Sequence, residues 1–191
     1  GCPNGFGMKI KALQSPSDTF DLQMPGNKPF DVVGFGLNSV DYVCVLPEYP
    51  RQDSKTEILQ YERLAGGQTA TALAFLARMG VHTKYIGKVG SDDAGRVSLQ
   101  SFEGESIDIS SVLVEQDARN PFSVILLDQK SGERTVLCRR DKELNFRESE
   151  LKEDDVCRGR ILHLDGYDTL ALNTGVRCQR KGIPVCADLD T

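Results

Sequence analysis

Two segments of the sequence combine glycine with polar side chains that could bind hydroxyl groups. The first runs from Gly36 to Asp41 and contains Asn38. A carboxylate such as that of Asp41 can accept hydrogen bonds from two neighbouring hydroxyl groups, as a polyol ligand requires. The same residue types are also typical of a turn in which Asn and Asp side chains bond to the backbone. The spacing alone leaves both interpretations open.

The second segment contains Gly66, Gly67, Gln68 and Thr71 at the start of an apolar helical pattern. Paired glycines let the backbone approach a ligand closely, and the first turn of a helix offers free N–H donors. The alternative is a tight turn that requires a positive φ angle. By itself the glycine pair is a weak indication of a binding loop.

Two further segments favour structural roles. In the segment from Ile86 to Arg96, we expect Asp92 and Asp93 to cap and stabilise the start of a helix. In the segment from His163 to Gly166, the histidine belongs to a strand-like run. A single histidine in such a run is more often a core residue than a catalyst, so we predict a core role for it.

The sequence lacks the motifs typical of dinucleotide binding, phosphate-loop nucleotide binding, serine hydrolases and metal sites. Gly34-Phe35-Gly36 does not continue into a dinucleotide-binding motif, because Ser39 stands at the position of the third glycine. No G-x-x-x-x-G-K-[ST] phosphate loop and no G-x-S-x-G nucleophile motif occurs. The six cysteines include no C-x-x-C pair, so we expect reduced thiols and no metal site. Three of them lie in strand-like runs and are predicted to be core residues: Cys44, Cys138 and Cys186.

The composition is that of an ordinary globular chain. It has 191 residues, of which 39% are hydrophobic and 27% charged, and its net charge is −5. The negative charge argues against a nucleic-acid-binding surface as the main function. No apolar run approaches the roughly 18 residues of a membrane helix, and no signal peptide is recognisable. We therefore expect a cytoplasmic protein that binds neither nucleic acid nor membranes.

Strand and helix patterns alternate after a Pro- and Gly-containing tail at residues 1–29, which is expected to be flexible. This alternation predicts an α/β domain in which ligands bind at the carboxyl ends of parallel strands. The helix from Gly67 to Met79 is apolar nearly all round, which predicts burial on both sides. The other predicted elements are an inserted hairpin at 40–46 and 55–64, a second hairpin at 123–128 and 134–138, strands at 31–36, 85–89, 109–115, 161–164 and 183–187, and a helix capped by Asp168.

In order and spacing, these motifs resemble the N-terminal part of the ribokinase-like (PfkB) carbohydrate kinase family. The resemblance runs from about Phe30 to the end of the chain. The turn from Gly132 to Thr135 is also similar to that of family members that phosphorylate sugars. The motifs that carry the resemblance are Gly36-x-x-x-x-Asp41, the inserted hairpin, Gly66-Gly67 with Thr71-Ala72 and Met79-Gly80, and Gly87-x-Val89-Gly90-x-Asp92-x-x-Gly95.

The resemblance implies a three-layer α/β/α domain with a small β-sheet lid formed by the hairpin at about 40–64. It implies transfer of the γ-phosphate of ATP to a sugar hydroxyl with the help of Mg²⁺, and a homodimer formed through the lid. A nucleoside kinase of the same fold and a non-catalytic sugar-binding or oligomerisation module are the alternatives. The substrate-binding residues that the resemblance implies are Asn38, Asp41, Gly66, Gly67, Gln68 and Thr71.

The sequence departs from the family pattern in two respects. Members commonly have Asn where this chain has Thr71, so the sugar is expected to differ from ribose and the common hexoses. The D-T-x-G-A-G-D motif, which carries the catalytic Asp and the anion hole of the family, does not occur in the 191 residues. The resemblance therefore implies that the chain holds the sugar-binding half and the lid. The C-terminal ATP-binding part is expected to be absent, so that the chain has no catalytic residue and is inactive by itself.

Overall fold

A computed structural model describes residues 24–165 and 168–188. Most of the predicted tail, residues 1–23, lies outside the described residues. The next residues lie against the domain, where Lys28 donates a hydrogen bond to the carbonyl of Cys157 at 3.0 Å. No helix in the described part of the chain is long and apolar enough to cross a membrane.

Ten strands and four α-helices occur within the described residues, together with the 3₁₀ turns Lys142–Leu144 and Glu148–Glu150. In chain order they are β1 Phe30–Phe35, β2 Ser39–Leu46, β3 Gln60–Gly66, α1 Gln68–Arg78, β4 Thr83–Ile86, β5 Lys88–Gly90, α2 Asp93–Gly104, β6 Leu113–Glu115, β7 Phe122–Asp128, β8 Arg134–Arg139, α3 Glu153–Val156, β9 Gly159–Leu164, α4 Thr169–Arg180 and β10 Val185–Ala187.

The central sheet has four parallel strands in the order β10–β9–β1–β4. Successive side chains of a strand point to opposite faces, so the inner strand β1 contributes to two cores. Val32 packs with Leu73 of α1 and Phe102 of α2, whereas Val33 packs with Cys178 of α4 on the other face. The arrangement confirms the predicted three-layer α/β/α architecture and brings the carboxyl ends of the strands to one edge.

A second sheet, which we call the lid sheet, has the strand order β3–β2–β7–β8. Strand β2 pairs antiparallel with β3 and parallel with β7, and β7 pairs antiparallel with β8. The predicted inserted hairpin is present, although β3 begins at Gln60 rather than at Lys55. The predicted second hairpin is present too, and it extends the same sheet. The lid sheet is therefore built from both hairpins, whereas the sequence indicated that the first hairpin alone forms the lid.

Helix α1 is buried on one side only, so the prediction of burial on both sides is wrong. Leu73 is fully buried against the central sheet, whereas Phe75 and Met79 are 63% and 58% exposed. The reason is that α1 belongs to an outer layer, and the described part of the chain places no further layer over it. Gly80 lies two residues beyond the end of α1, and its φ of +82° is accessible to glycine at low cost.

The prediction that Cys44, Cys138 and Cys186 are core residues is correct only for Cys44. Cys44 is buried in β2, an inner strand of the lid sheet, whereas Cys138 and Cys186 are exposed. Their strands, β8 and β10, lie at the edges of the two sheets, where alternate side chains face solvent. All five cysteines of the described residues are free thiols.

The predicted helix caps are confirmed, and glycine allows α2 to lie close to the sheet. Asp92 accepts a hydrogen bond from the Gly95 amide at 3.0 Å, and Asp168 caps α4 in the same way. A Cβ atom at Gly95 would collide with the Gly90 carbonyl oxygen of β5, and one at Gly90 would lie 2.5 Å from the Asn120 amide nitrogen. Both obstacles are backbone atoms, which cannot move aside by changing rotamer.

We therefore predict that Gly95→Ala lowers the free energy of unfolding by about 1–3 kcal/mol, because α2 must move away from β5. Gly104→Ala is the matched control in the same helix, since no atom lies within 4 Å of its added Cβ. It should raise the free energy of unfolding by up to about 1 kcal/mol through helix propensity. Urea unfolding followed by circular dichroism measures both. Equal effects of the two variants would contradict this packing argument.

Candidate functional site

A cleft of about 700 Å³ lies between the start of α1, the carboxyl-terminal edge of the central sheet and the inner face of the lid sheet. Five of the six sequence-predicted site residues line it, and the sixth, Gly66, lines a smaller neighbouring cavity together with Thr71. The structure thus brings together the two glycine-containing segments of the sequence, residues 36–41 and 66–71. The predicted residues that line the cleft are Asn38, Asp41, Gly67, Gln68 and Thr71.

The Asp41 carboxylate is held at the cleft from two sides. Ser39 donates its hydroxyl hydrogen bond to Asp41 Oδ1 at 3.1 Å. Gly66 lies against Oδ2, so closely that a Cβ atom at this position would overlap the carboxylate. Gly66 is paired with Ser39 in the β2–β3 ladder, which explains the proximity. Asp41 remains partly exposed and can accept further hydrogen bonds from a ligand in the cleft.

Gly67 joins the start of α1 to the loop that follows β1. Its φ is +97°, and a Cβ atom would lie 2.6 Å from Asn38 Cα and 2.8 Å from the Leu37 carbonyl oxygen. The Leu37 carbonyl also accepts a hydrogen bond from the Ala70 amide at 3.4 Å. Gly67 thus adopts the positive φ that a tight turn requires, and the close approach of these backbone segments forms part of the wall of the cleft.

The Asn38 side chain is buried and fully engaged within the protein. Its Nδ2 donates to the Tyr85 hydroxyl at 2.9 Å and to the Lys88 carbonyl at 2.8 Å. Its Oδ1 accepts from Asn120 Nδ2 at 3.0 Å. Both amide hydrogens are therefore used, and the side chain fixes the loop on which Asp41 depends.

Tyr85 and Asn120 were not identified by sequence reasoning, although they complete this network. The Tyr85 hydroxyl donates to the Gly36 carbonyl at 2.8 Å, and burial raises the pKa of this phenol, which keeps it neutral. Asn120 Oδ1 accepts from the Gly90 amide at 3.2 Å. Asn120 lies two residues before β7, so the network ties the base of the lid sheet to the edge of the central sheet. No sequence motif marks either residue.

A second cavity of about 560 Å³ adjoins the cleft and shares Leu37, Asn38, Pro121 and Arg140 with it. Lys88 lines this cavity with a fully buried side chain. Its ammonium group pairs with Glu115 at 3.1 Å and Glu150 at 2.9 Å.. These ion pairs hold the segment after β8 against β5 and β6, and so form one wall of the second cavity.

Asp165 follows the carboxyl end of β9 and faces the second cavity. Its Oδ2 accepts a hydrogen bond from the Leu37 amide at 2.5 Å. Burial raises the pKa of this carboxyl to about 6, and the hydrogen bond from Leu37 partly opposes the shift. Since ligands bind at this edge of α/β sheets, its position after a strand was the signal that could have identified it. His163, two residues earlier, is half-buried in the sheet, and burial lowers its pKa, in keeping with the predicted core role.

Among residues 24–165 and 168–188, no group of three or more His, Cys, Asp or Glu side chains could hold a metal ion.

The raised pKa of Asp165 predicts a pH-dependent stability. Between about pH 4 and pH 6 the native state retains a proton that the unfolded carboxyl, with a pKa near 3.9, releases. This stabilising contribution is therefore complete below about pH 4 and is lost as the pH rises through 6. From pH 4 to pH 7, the wild type should lose about 2–3 kcal/mol of unfolding free energy relative to Asp165→Asn.

Urea unfolding of both proteins at the two pH values measures this difference. Asp128→Asn is the control: hydrogen bonds from the Ser131 backbone and its neighbours lower the pKa of Asp128, so its stabilising contribution is lost mainly below pH 4 and should change little between pH 4 and pH 7. A stability difference between wild type and Asp165→Asn that does not change with pH would refute the assignment.

Comparison with known proteins agrees with this geometry. The family model for pfkB family carbohydrate kinases matches residues 30–179. The nucleoside kinase of Methanothermobacter thermautotrophicus is 25% identical over 134 residues, which cover 70% of this chain and 43% of that protein. The chain thus spans less than half the length of this relative.

Solved structures show the same fold. A putative ribokinase from Agrobacterium tumefaciens superposes with a TM-score of 0.76 at 24% identity, covering 85% of this chain and 53% of the other. The ribokinase of Arabidopsis thaliana, solved with ribose and ATP, gives a TM-score of 0.69 at 17% identity, covering 84% and 53%. Because the family model covers most of the sequence, the chain belongs to the pfkB family of carbohydrate kinases.

Proposed function

We propose that the cleft binds a sugar and presents one of its hydroxyl groups for phosphorylation by ATP. The observation that carries the proposal is the Asp41 carboxylate, held at the cleft by Ser39 and by direct contact with Gly66. A carboxylate can accept hydrogen bonds from two vicinal hydroxyl groups, and such charged hydrogen bonds are stronger than neutral ones. Asp41 therefore both selects a polyol and fixes its orientation.

The start of α1 supplies the complementary donors. Gln68 and Thr71 line the cleft from the first turn of the helix, where their side chains can donate hydrogen bonds to a bound sugar. Gly66 and Gly67 allow the sugar to approach the backbone. Asn38 contributes by holding the loop, because its own amide hydrogens are already engaged.

The lid sheet would cover the bound sugar. Phosphoryl transfer depends on positioning and on neutralisation of charge, and exclusion of water prevents wasteful hydrolysis of ATP. Enzymes of this family use ATP, and Mg²⁺ belongs to this class of reaction. Neither a catalytic residue nor a metal ligand is proposed among residues 24–165 and 168–188. The chain spans 43% of the length of its nucleoside kinase relative, so the complete reaction is proposed only for the whole protein.

We predict that Asp41→Asn weakens sugar binding by roughly 100-fold, because two charge-assisted hydrogen bonds are lost. Thermal shift identifies the sugar among D-ribose, D-fructose, D-gluconate and adenosine, since a ligand of the native state raises the Tm. Calorimetry then compares the variant with Asp53→Asn, which removes the same charge from the exposed loop between β2 and β3.

The outcomes separate the candidate functions. Stabilisation by adenosine alone would favour a nucleoside kinase, for which the adjoining second cavity provides room for a base. If Asp41→Asn binds sugar as tightly as the wild type, the role of Asp41 is wrong. If no compound binds to the wild type, the sugar-binding proposal fails and a non-catalytic oligomerisation module becomes the better description.

The outer face of the lid sheet, opposite Asp41, is proposed to bind a second copy of the chain. Tyr61 and Leu137 lie on this face by strand alternation and are 58% and 55% exposed. The Tyr61 ring stacks on that of Tyr42, with 6.4 Å between the ring centroids. Exposed apolar surface of this kind is typical of protein interfaces.

Leu137→Glu should therefore convert a dimer into a monomer in sedimentation equilibrium, because it buries a charge at the interface. Leu172→Glu, at a leucine of α4 that is 52% exposed, is the matched control and should remain dimeric. A wild-type chain that sediments at its monomer mass of 21.0 kDa would refute the lid-mediated dimer.

A further inference from the structure

Two buried cysteines meet between α3 and α4, on the side of the central sheet away from α1. Cys157 directly follows α3, and Cys178 lies on the buried side of α4. Their Sγ atoms are 3.4 Å apart, and both thiols are free. The contact joins residues that are 21 positions apart in the sequence, so the fold rather than a local motif brings the two thiols together.

The apolar core holds the two sulfur atoms against each other. Both cysteines belong to the core cluster that also contains Val33, Leu162 and Ile183. A disulfide bond is about 2.0 Å long, so the sulfur atoms of Cys157 and Cys178 need to approach by about 1.4 Å to form one. Helix α3 has only four residues, so a displacement of this size at its end disturbs little regular structure.

The two thiols differ in their access to an oxidant. Cys178 is fully buried, whereas Cys157 keeps 8% of its surface exposed. The thiolate is the nucleophilic form of cysteine. Burial, followed by the hydrogen bond with Cys157, raises the pKa of Cys178 to about 12, so the Cys178 thiol stays protonated at neutral pH. Cys157 is therefore the thiol that reacts first.

A cation lies near the thiol pair. Lys181, three residues beyond Cys178, forms an ion pair with Glu153 at 2.5 Å. The hydrogen bond with Glu153 is the largest cause of the raised pKa of Lys181, and the charge of a Cys157 thiolate is the next largest. The Lys181 ammonium group therefore partly balances the negative charge that forms on Cys157 during its reaction.

We propose that Cys157 and Cys178 form a site of reversible oxidation, at which a hydroperoxide converts the two thiols into a disulfide. The Cys157 thiolate attacks hydrogen peroxide, the O–O bond breaks, and the leaving hydroxide takes up the proton that Cys157 released. Cys157 is then a sulfenic acid. The Cys178 sulfur attacks the Cys157 sulfur, the S–O bond breaks, and hydroxide leaves with the Cys178 proton as a second water. Two electrons pass from the two thiols to one peroxide, and a thiol reductant reverses the change.

The disulfide would connect two walls of the second cavity. Six residues between Arg140 and Phe146 line this cavity, and they belong to the segment that leads into α3. Leu170 and Ala171, in the first turn of α4, line it from the other side. A covalent bond between the end of α3 and α4 therefore restrains the separation of these walls. Neither cysteine lines the cleft, so this chemistry is independent of the proposed sugar.

Peptide mass spectrometry tests the proposal on the native 191-residue chain treated with hydrogen peroxide. We expect a pair of peptides in which Cys157 and Cys178 are linked with the loss of two hydrogen atoms, and the link should disappear with dithiothreitol. The exposed thiols Cys138 and Cys186 report general oxidation of the same sample. Absence of the Cys157–Cys178 link when Cys138 and Cys186 are oxidised, or its formation only in urea-unfolded chain, would overturn the inference.

Two variants test the order of the steps. In Cys178→Ala the sulfenic acid at Cys157 has lost its partner thiol and should accumulate, so that dimedone labels it. In Cys157→Ala, Cys178 should remain reduced because it is buried and protonated. Circular dichroism verifies that both variants fold. Oxidation of Cys178 in folded Cys157→Ala to the same extent as in the wild type would overturn the assignment of Cys157 as the reacting thiol.

Thermal unfolding and amide hydrogen exchange measure the restraint. Oxidation should raise the Tm of the wild type by roughly 5–10 °C, because the link closes a loop of about 20 residues, and should leave that of Cys178→Ala without such a gain. Exchange in α3 should slow severalfold, whereas exchange in α2, on the other face of the sheet, should not change. A lower Tm of the linked protein, or unchanged exchange in α3, would show that the disulfide does not fit the native fold and would overturn the inference.

Discussion

The hydrogen bond between the side chains of Asn38 and Asn120 connects the central sheet to the lid sheet. It joins the loop after β1 to the residue that leads into β7, at 3.0 Å and in a fully buried position. A buried amide that loses its partner costs about 1–3 kcal/mol, so the bond favours one placement of the lid sheet strongly. Asn38 also donates to the Tyr85 hydroxyl and to the Lys88 carbonyl, whereas Asn120 also donates to the Ser98 hydroxyl and accepts from the Gly90 amide. The base of the lid sheet, which carries Asp41 on β2, is therefore fixed relative to the edge of the central sheet.

This polar junction explains the glycines around it. Backbone and short polar groups meet so closely that a Cβ atom at Gly36 would overlap Asp165, and one at Gly87 would overlap the Tyr85 hydroxyl. The close packing of the junction therefore requires glycine at these positions. Gly66 and Gly67 also border the cleft and the smaller cavity beside it.

The local chemistry of the sequence predicted the layers, the two hairpins and the caps at Asp92 and Asp168, because each depends on periodicity or on near neighbours. It also placed Asn38, Asp41 and the α1 start at one site. It did not predict that β2 pairs with β7, a contact between residues about 80 positions apart that no local pattern encodes. Tyr85, Lys88 and Asn120 were missed for the same reason, since their partners are brought together only by the fold.

The two sides of the cleft differ in how freely they can vary. Asp41 belongs to β2, which pairs with a strand on each side. Its carboxylate also contacts Gly66, so the position of the Asp41 side chain depends on the packing around it. The cleft-lining residues Arg134, Val136 and Cys138 belong to β8, and among the described strands β8 pairs with β7 alone. An exposed side chain on an edge strand can change with little effect on stability. The position of Asp41 on the inner strand is therefore fixed by the fold, whereas the cleft-lining residues of the edge strand can vary with less effect on it.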